Sequence, residues 1–163
     1  MRHPLSVIVV NSPGVLSRVS GLFSRRGYNI ESLTVSATQR TDISRMTIVV
    51  EGDSTVLEQV VKQLNKLVDV IKVWDISDTA LSRELALIKI SCSAATRSQI
   101  LENSRVYRAS IVDLSPEYII LQITGTTQKV DALEEILEDY GIVELVRTGS
   151  VALERGSNRR MLF

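Results

Sequence analysis

One order of elements, strand–helix–strand–strand–helix–strand, occurs twice along these 163 residues, and this repeat narrows the fold more than any other feature. In the first pass, residues 5–10 (Leu-Ser-Val-Ile-Val-Val) read as an apolar, β-branched strand. Ser12 before Pro13 reads as a helix N-cap followed by proline at the first helical position. Val15, Leu16, Val19, Leu22 and Phe23 then recur at helical spacing and give one apolar face, and Gly27 ends the helix in a left-handed conformation. Residues 29–37 and 44–51 are strands on either side of the polar Gln39-Arg40-Thr41-Asp42. Gly52-Asp53 turns the chain, and Thr55 with Glu58 forms a capping box. Leu57, Val60, Val61, Leu64 and Leu67 line the second helix, and residues 70–76 close the unit as a fourth strand.

The second pass uses different residues. Residues 85–92 form a strand, and a short helix starts near Thr96, with Gln99 three positions on. Strands 109–114 and 119–124 flank the turn Ser115-Pro116-Glu117. Val130, Leu133, Ile136, Leu137 and Tyr140 face the core from a last helix capped by Gly141, and residues 142–146 close the unit. Residues 77–82 are the expected linker, and the aperiodic tail 156–163 is expected to be mobile.

Right-handed crossovers leave few topologies for this order, and the leading one is a four-stranded antiparallel sheet with two helices on one face. The expected fold class is therefore α+β, two ferredoxin-like βαββαβ sandwiches in tandem, residues 1–76 and 77–163. Such a sheet leaves one face bare. Residues 5–10 are apolar on both sides except at Ser6, so that face predicts self-association, most simply as a two-fold dimer.

Composition removes several functions. Lysine plus arginine and aspartate plus glutamate balance at 19 each, with no basic surplus for nucleic acid or an acidic membrane. The strands 5–10 and 44–50 carry no aromatic residue on which bases could stack. No apolar run approaches the ~20 residues of a membrane span. The start Met1-Arg2-His3-Pro4 runs straight into a strand, so a cytoplasmic protein without a signal peptide is expected.

The single histidine, His3, sits in the terminal segment and reads as disordered rather than catalytic, and Cys92, the single cysteine, reads as a buried structural thiol. Glu134-Glu135 and Glu138-Asp139 read as a solvated helix face, and the residues for a zinc cluster are missing. Neither a phosphate-binding loop nor a dinucleotide fingerprint is present. A catalytic site and a metal site are expected to be absent.

What remains is the turn Asn11-Ser12-Pro13-Gly14, with Val15 and Leu16 opening the helix. Gly14 lets a ligand approach the backbone, and the helix start offers free N–H groups and a positive dipole end to a carboxylate. Asn11 can donate and accept, Asn29 offers a second amide and could act across a dimer boundary, and Ile30, Val15, Leu16 and Val35 can supply apolar walls. The corresponding loop of the second unit, Cys92-Ser93-Ala94-Ala95, has neither glycine nor asparagine. A site for a small carboxylate is therefore expected in the first unit alone, although a plain strand-to-helix turn would read the same locally.

The run from Gly14 to Val19, the run from Gly21 to Leu33 (including Gly27-Tyr28-Asn29-Ile30-Glu31) and Ser44-Arg45-Met46-Thr47-Ile48-Val49 closely resemble the small, regulatory subunit of acetolactate synthase (acetohydroxyacid synthase). Lys66-Leu67-Val68-Asp69-Val70, Arg83-Glu84-Leu85-Ala86-Leu87-Ile88-Lys89, Ile111-Val112-Asp113 and Arg147-Thr148-Gly149 extend the resemblance over nearly the whole chain. It implies that the first unit is an ACT domain, an amino-acid-sensing version of the ferredoxin-like fold. It further implies a non-catalytic partner of a large subunit that carries thiamine diphosphate, FAD and magnesium, with no cofactor in this chain. The implied effector is valine, held between two ACT domains by the loop Asn11–Gly14 of one chain and Asn29 and Ile30 of the other. A stand-alone amino-acid-sensing module that controls another protein is the competing reading.

Overall fold

The computed structural model describes residues 2–77 and 80–156, and it divides the chain into two units, Met1–Leu81 with Ser150–Phe163, and Ser82–Gly149. In the first unit the elements are β1 (Arg2–Val10), α1 (Val15–Arg26), β2 (Ile30–Ala37), β3 (Ile43–Glu51), α2 (Ser54–Leu64) and β4 (Val70–Asp75). The sheet order is β2-β3-β1-β4, all antiparallel, which is the expected ferredoxin-like arrangement. Register explains the core. Leu5, Val7 and Val9 of β1 point to the same side as Met46, Ile48 and Val50 of β3, and the apolar stripes of α1 and α2 close over them. Val19, Phe23, Val60 and Leu64 are fully enclosed there.

Helix ends differ from the sequence reading in two places. Helix α1 is preceded not by a Ser12 cap but by Gly14 in the left-handed region (φ 83°), with no side-chain cap, so the helix starts two residues later. Helix α2 is capped by Asp53, whose carboxylate accepts from the Val56 N–H, rather than by Thr55 and Glu58. The C-terminal end of α1 agrees with the reading: Gly27 adopts φ 68°, and the N–H groups of Gly27 and Tyr28 donate to Ser24 and Phe23.

The bare outer face of the first sheet is not bare. A short strand that the sequence reading missed, β9 (Val151–Glu154), lies against it within this unit. Ala152 packs with Ile8, Ile43, Trp74 and Ile76, its N–H donates to Thr47 Oγ1, and its carbonyl accepts from Arg45. Ser6 is buried as a result. This contact moves the C-terminal segment from Ser150 into the first unit, whereas the sequence reading divided the chain at residues 76 and 77. His3 is likewise ordered in β1, with Nδ1 3.2 Å from Ser77 Oγ, not a disordered terminal residue.

The second unit contains β5 (Ala80–Ser91) from Ser82 onward, α3 (Arg97–Val106), β6 (Ser110–Leu114), β7 (Tyr118–Gly125), α4 (Thr127–Glu138) and β8 (Ile142–Arg147), with sheet order β6-β7-β5-β8. Part of the expected linker, from Ala80 to Ser82, is already strand, and the rest of the expected mobile tail, from residue 157, lies outside the described residues. Ile88, Ile90, Ile119, Leu121, Val130, Leu133 and Leu137 form the core, and Ile136 lies on the exposed side of α4 instead. Arg147 binds the buried Glu84 and, at 2.7 and 3.3 Å, Asp131 and Glu134, so Glu134 is a network member and not merely solvated.

Candidate functional site

The site begins with a backbone that cannot satisfy itself. Between β1 and α1 the chain must reverse within four residues, and proline followed by glycine allows it, because Gly14 takes a φ few other residues adopt. Val15 N–H reaches Ser12 O at 3.4 Å and Arg18 N–H reaches Gly14 O at 3.0 Å. Among the described residues the N–H groups of Gly14, Leu16 and Ser17 have no acceptor, and the first turn of α1 contains no acidic side chain. Three open donors at a positive helix end suit a carboxylate.

The loop is held from below. Asn11 N–H donates to Asp42 O at 2.8 Å, and its side-chain Nδ2 donates to Thr41 O at 2.8 Å. Its Oδ1 then remains an acceptor, the group an ammonium needs. Asn11, Ser12, Pro13 and Gly14 are exposed, Val15 is buried beneath them in the core, and Leu16 and Val35 are exposed apolar side chains (43% and 42%). Val35 pairs with Met46 and so lies on the helix side of the sheet, two residues from the Ala37 end of β2.

Asn29 and Ile30 are elsewhere. Ile30 pairs with Val50 and Ala37 with Ser44, while Val10 pairs with Ile43, so the 11–14 loop lies beside the Ala37 end of β2. Seven residues of strand separate Ile30 from that end, about 24 Å at the usual rise. One chain therefore brings together Asn11, Ser12, Pro13, Gly14, Leu16 and Val35, with Val15 as their floor, and leaves Asn29 and Ile30 at the far end. Strand β2 is also an edge of its sheet, eight residues (Ile-Glu-Ser-Leu-Thr-Val-Ser-Ala) without proline or lysine to block pairing.

A residue the sequence reading did not single out sits against the loop. Arg18 donates from Nε and Nη2 to Asp69 at 2.6 and 2.9 Å, across 51 positions of sequence. The side-chain hydrogen bond that Arg18 donates to Asp69 holds the guanidinium above its ordinary pKa, and the same bond holds Asp69 below the usual carboxylate range. The second unit shows the opposite arrangement at the corresponding place. Ser93 and Thr96 cap each other, Ser93 N–H to Thr96 Oγ1 at 3.0 Å and Thr96 N–H to Ser93 Oγ at 3.3 Å, so that loop spends its donors internally. Cys92 is half-buried there, packed against the second core with Sγ near the carbonyls of Ser115 and Pro116.

Among the described residues no group of three or more His, Cys, Asp or Glu side chains is placed to hold a metal ion, and no helix is long and apolar enough to cross a membrane.

Comparison with known proteins follows the two-unit division. Residues 5–72 match the family described as the AHAS small subunit-like ACT domain, and residues 83–156 match the small subunit of acetolactate synthase. The probable acetolactate synthase small subunit of Archaeoglobus fulgidus is 52% identical over 159 residues, 98% of this chain and all of that protein. The acetolactate synthase small subunit of Mycolicibacterium smegmatis is 53% identical over 155 residues, covering 94% of this chain and 91% of its own length. The crystal structure of the small subunit from Thermotoga maritima superposes with a TM-score of 0.89 at 38% identity, covering 96% of this chain and 99% of that one.

Proposed function

Because this chain belongs to the small-subunit family of acetolactate synthase, we propose that it is the non-catalytic regulator of the catalytic large subunit, raising its activity and making it sensitive to feedback inhibition by valine in the cytoplasm. Thiamine diphosphate, FAD and magnesium belong, in this reading, to the large subunit. The observation that carries the effector part is the separation of the site's two halves along the β2 edge. If two chains pair β2 against β2 by a two-fold axis, the strands run antiparallel. Asn29 and Ile30 of one chain then lie at the Ala37 end of the other, beside its 11–14 loop. Two equivalent effector sites result, each incomplete in a single chain.

The chemistry of each half fits an amino acid. The open N–H groups of Gly14, Leu16 and Ser17 meet the carboxylate, Asn11 Oδ1 meets the ammonium, and Leu16, Val35 and the partner's Ile30 enclose a branched side chain. Burying a valine side chain contributes roughly 1.5–3 kcal/mol, while the charged ends must find partners to offset desolvation. Telling valine from isoleucine rests on one methylene, worth roughly 1–3 kcal/mol, so some response to both is expected. Inhibition requires valine to prefer the inhibited state of the complex, with a coupling of about 1–3 kcal/mol.

The test is acetolactate formation by the matching large subunit, with and without this chain, across a valine titration. Stimulation reversed by valine supports the proposal. Valine binding without any effect on the large subunit would favour a stand-alone sensing module, and absence of both stimulation and binding would sink it. Sedimentation of the chain should show a dimer.

A further inference from the structure

We infer that Arg18 and Asp69 are positioning residues of the effector loop, a bidentate ion pair that fixes the 11–14 turn in its receptive shape without touching the effector. The inference rests on the reading of that loop as the effector site.

Three observations converge on the pair. Asp69 grips both sides of the turn, since its backbone carbonyl accepts the Val10 N–H at 2.9 Å and its carboxylate holds Arg18 of α1 at 2.6 and 2.9 Å. The remaining guanidinium nitrogen, Nη1, lies 2.9 Å from where a Cβ on Gly14 would stand, so the side chain covers one flank of the glycine. Asn11 ties the opposite flank to Thr41 and Asp42, ahead of β3. The strand order β2-β3-β1-β4 places Asp69, immediately before β4, on the side of the loop away from the β2 edge. The pair is therefore a strap behind the site and not a part of its wall.

The loop needs such a strap. Glycine is free to leave its left-handed conformation, and leaving it moves the Gly14 N–H relative to the helix start that carries those of Leu16 and Ser17. Ordering the turn before the effector arrives removes a cost from binding. The planar fork of arginine can do this and the single ammonium of lysine cannot, because only two parallel bonds fix an orientation.

The experiment uses the full-length chain, isothermal titration with L-valine, and the valine response of the enzyme reconstituted with its large subunit. Variants R18Q, R18K, D69N and the double R18Q/D69N are compared, each with a thermal melt. The expected result is an L-valine dissociation constant raised about threefold to tenfold in R18Q and D69N. R18K should not restore it although its melting temperature matches wild type, and the double variant should be no worse than either single one, because the two residues act as a unit. Single variants that bind L-valine as tightly as a wild type that binds it would overturn the inference, as would effects that simply add. A wild-type chain that does not bind L-valine overturns the effector reading itself, a distinct failure.

Discussion

Replacing Gly14 with aspartate should remove valine inhibition, and the structure supplies the reasons and their sizes. The first term is backbone strain: Gly14 sits at φ 83°, where an L-residue costs about 1–2 kcal/mol, with aspartate at the low end because it tolerates this region. The second is steric, with the new Cβ 2.9 Å from Arg18 Nη1, but that atom ends a flexible side chain and can give way. The third dominates. A carboxylate at position 14 starts from the Arg18 flank, where it competes with Asp69 for the guanidinium, and from there it is within reach of the open N–H groups of Leu16 and Ser17 assigned to the effector's own carboxylate. Two like charges about 4 Å apart at an effective dielectric near 20 repel by about 4 kcal/mol, close to a thousandfold in affinity.

Two controls separate these terms. Gly14→Ala carries the strain without the charge and should weaken valine inhibition by about tenfold, following its 1–2 kcal/mol. Gly141→Ala carries equal strain (φ 86°) in the second unit, with only Ser91 Cβ 3.9 Å away, and should lower stability while leaving inhibition intact. The assay is acetolactate formation by the reconstituted enzyme across a valine titration, with circular dichroism as a check on folding. An unshifted valine titration for folded Gly14→Asp would refute the carboxylate assignment, whatever the fate of the other variants.

Four further outcomes follow from the packing and the charges. Asp53→Ala should destabilise the first unit by about 1 kcal/mol in urea unfolding while Thr55→Ala changes little, because Asp53 supplies the α2 cap. Ala152→Asp places a carboxylate among Ile8, Ile43, Trp74 and Ile76, so β9 should detach and a dye specific for exposed apolar surface should brighten. Arg147→Met should cost about 3 kcal/mol, the low end for a broken buried pair because Arg147 is about a quarter exposed, and adding Glu84→Gln should recover part of it. Burial opposes the Arg147 charge, but its hydrogen bonds to Glu84 and Asp131 outweigh it and hold the guanidinium above its ordinary range, so its contribution is constant across ordinary assay pH. Asp69 titrates below its usual 3.8 because of Arg18, so the strap is complete above that value and lost as pH falls further; valine affinity should not change through it between about pH 5 and pH 8.

The sequence made the fold readable where structure is local. Alternating β-branched runs and helical spacing of apolar residues set out both βαββαβ units, and Gly27 and Gly141 marked helix ends because a positive φ has few other occupants. Caps were harder, since Asp53, Ser54 and Thr55 are three adjacent candidates, and only the backbone path decides which carboxylate or hydroxyl faces the helix. Strand β9 was not readable at all. Four residues show no period, and Ala152 gains its meaning from Ile8, Ile43 and Trp74, contacts made far along the chain.

The candidate site divides in the same way. Asn11 and Gly14 stand out in the sequence because a proline-glycine turn before a helix has a restricted set of uses. Arg18 and Asp69 do not, because nothing at position 18 predicts a carboxylate 51 residues later. Asn29 was legible as an amide that could act across a dimer boundary, and its place at the far end of β2 agrees with that. A residue about 24 Å from the loop contributes nothing to a site within one chain. It becomes meaningful only if the β2 edge pairs with a second copy, and an open edge of eight residues without proline or lysine is the feature that makes such pairing favourable. The effector reading and the dimer reading therefore stand or fall together: a monomer in solution that still binds valine tightly would require a site that the positions of Asn29 and Ile30 cannot complete.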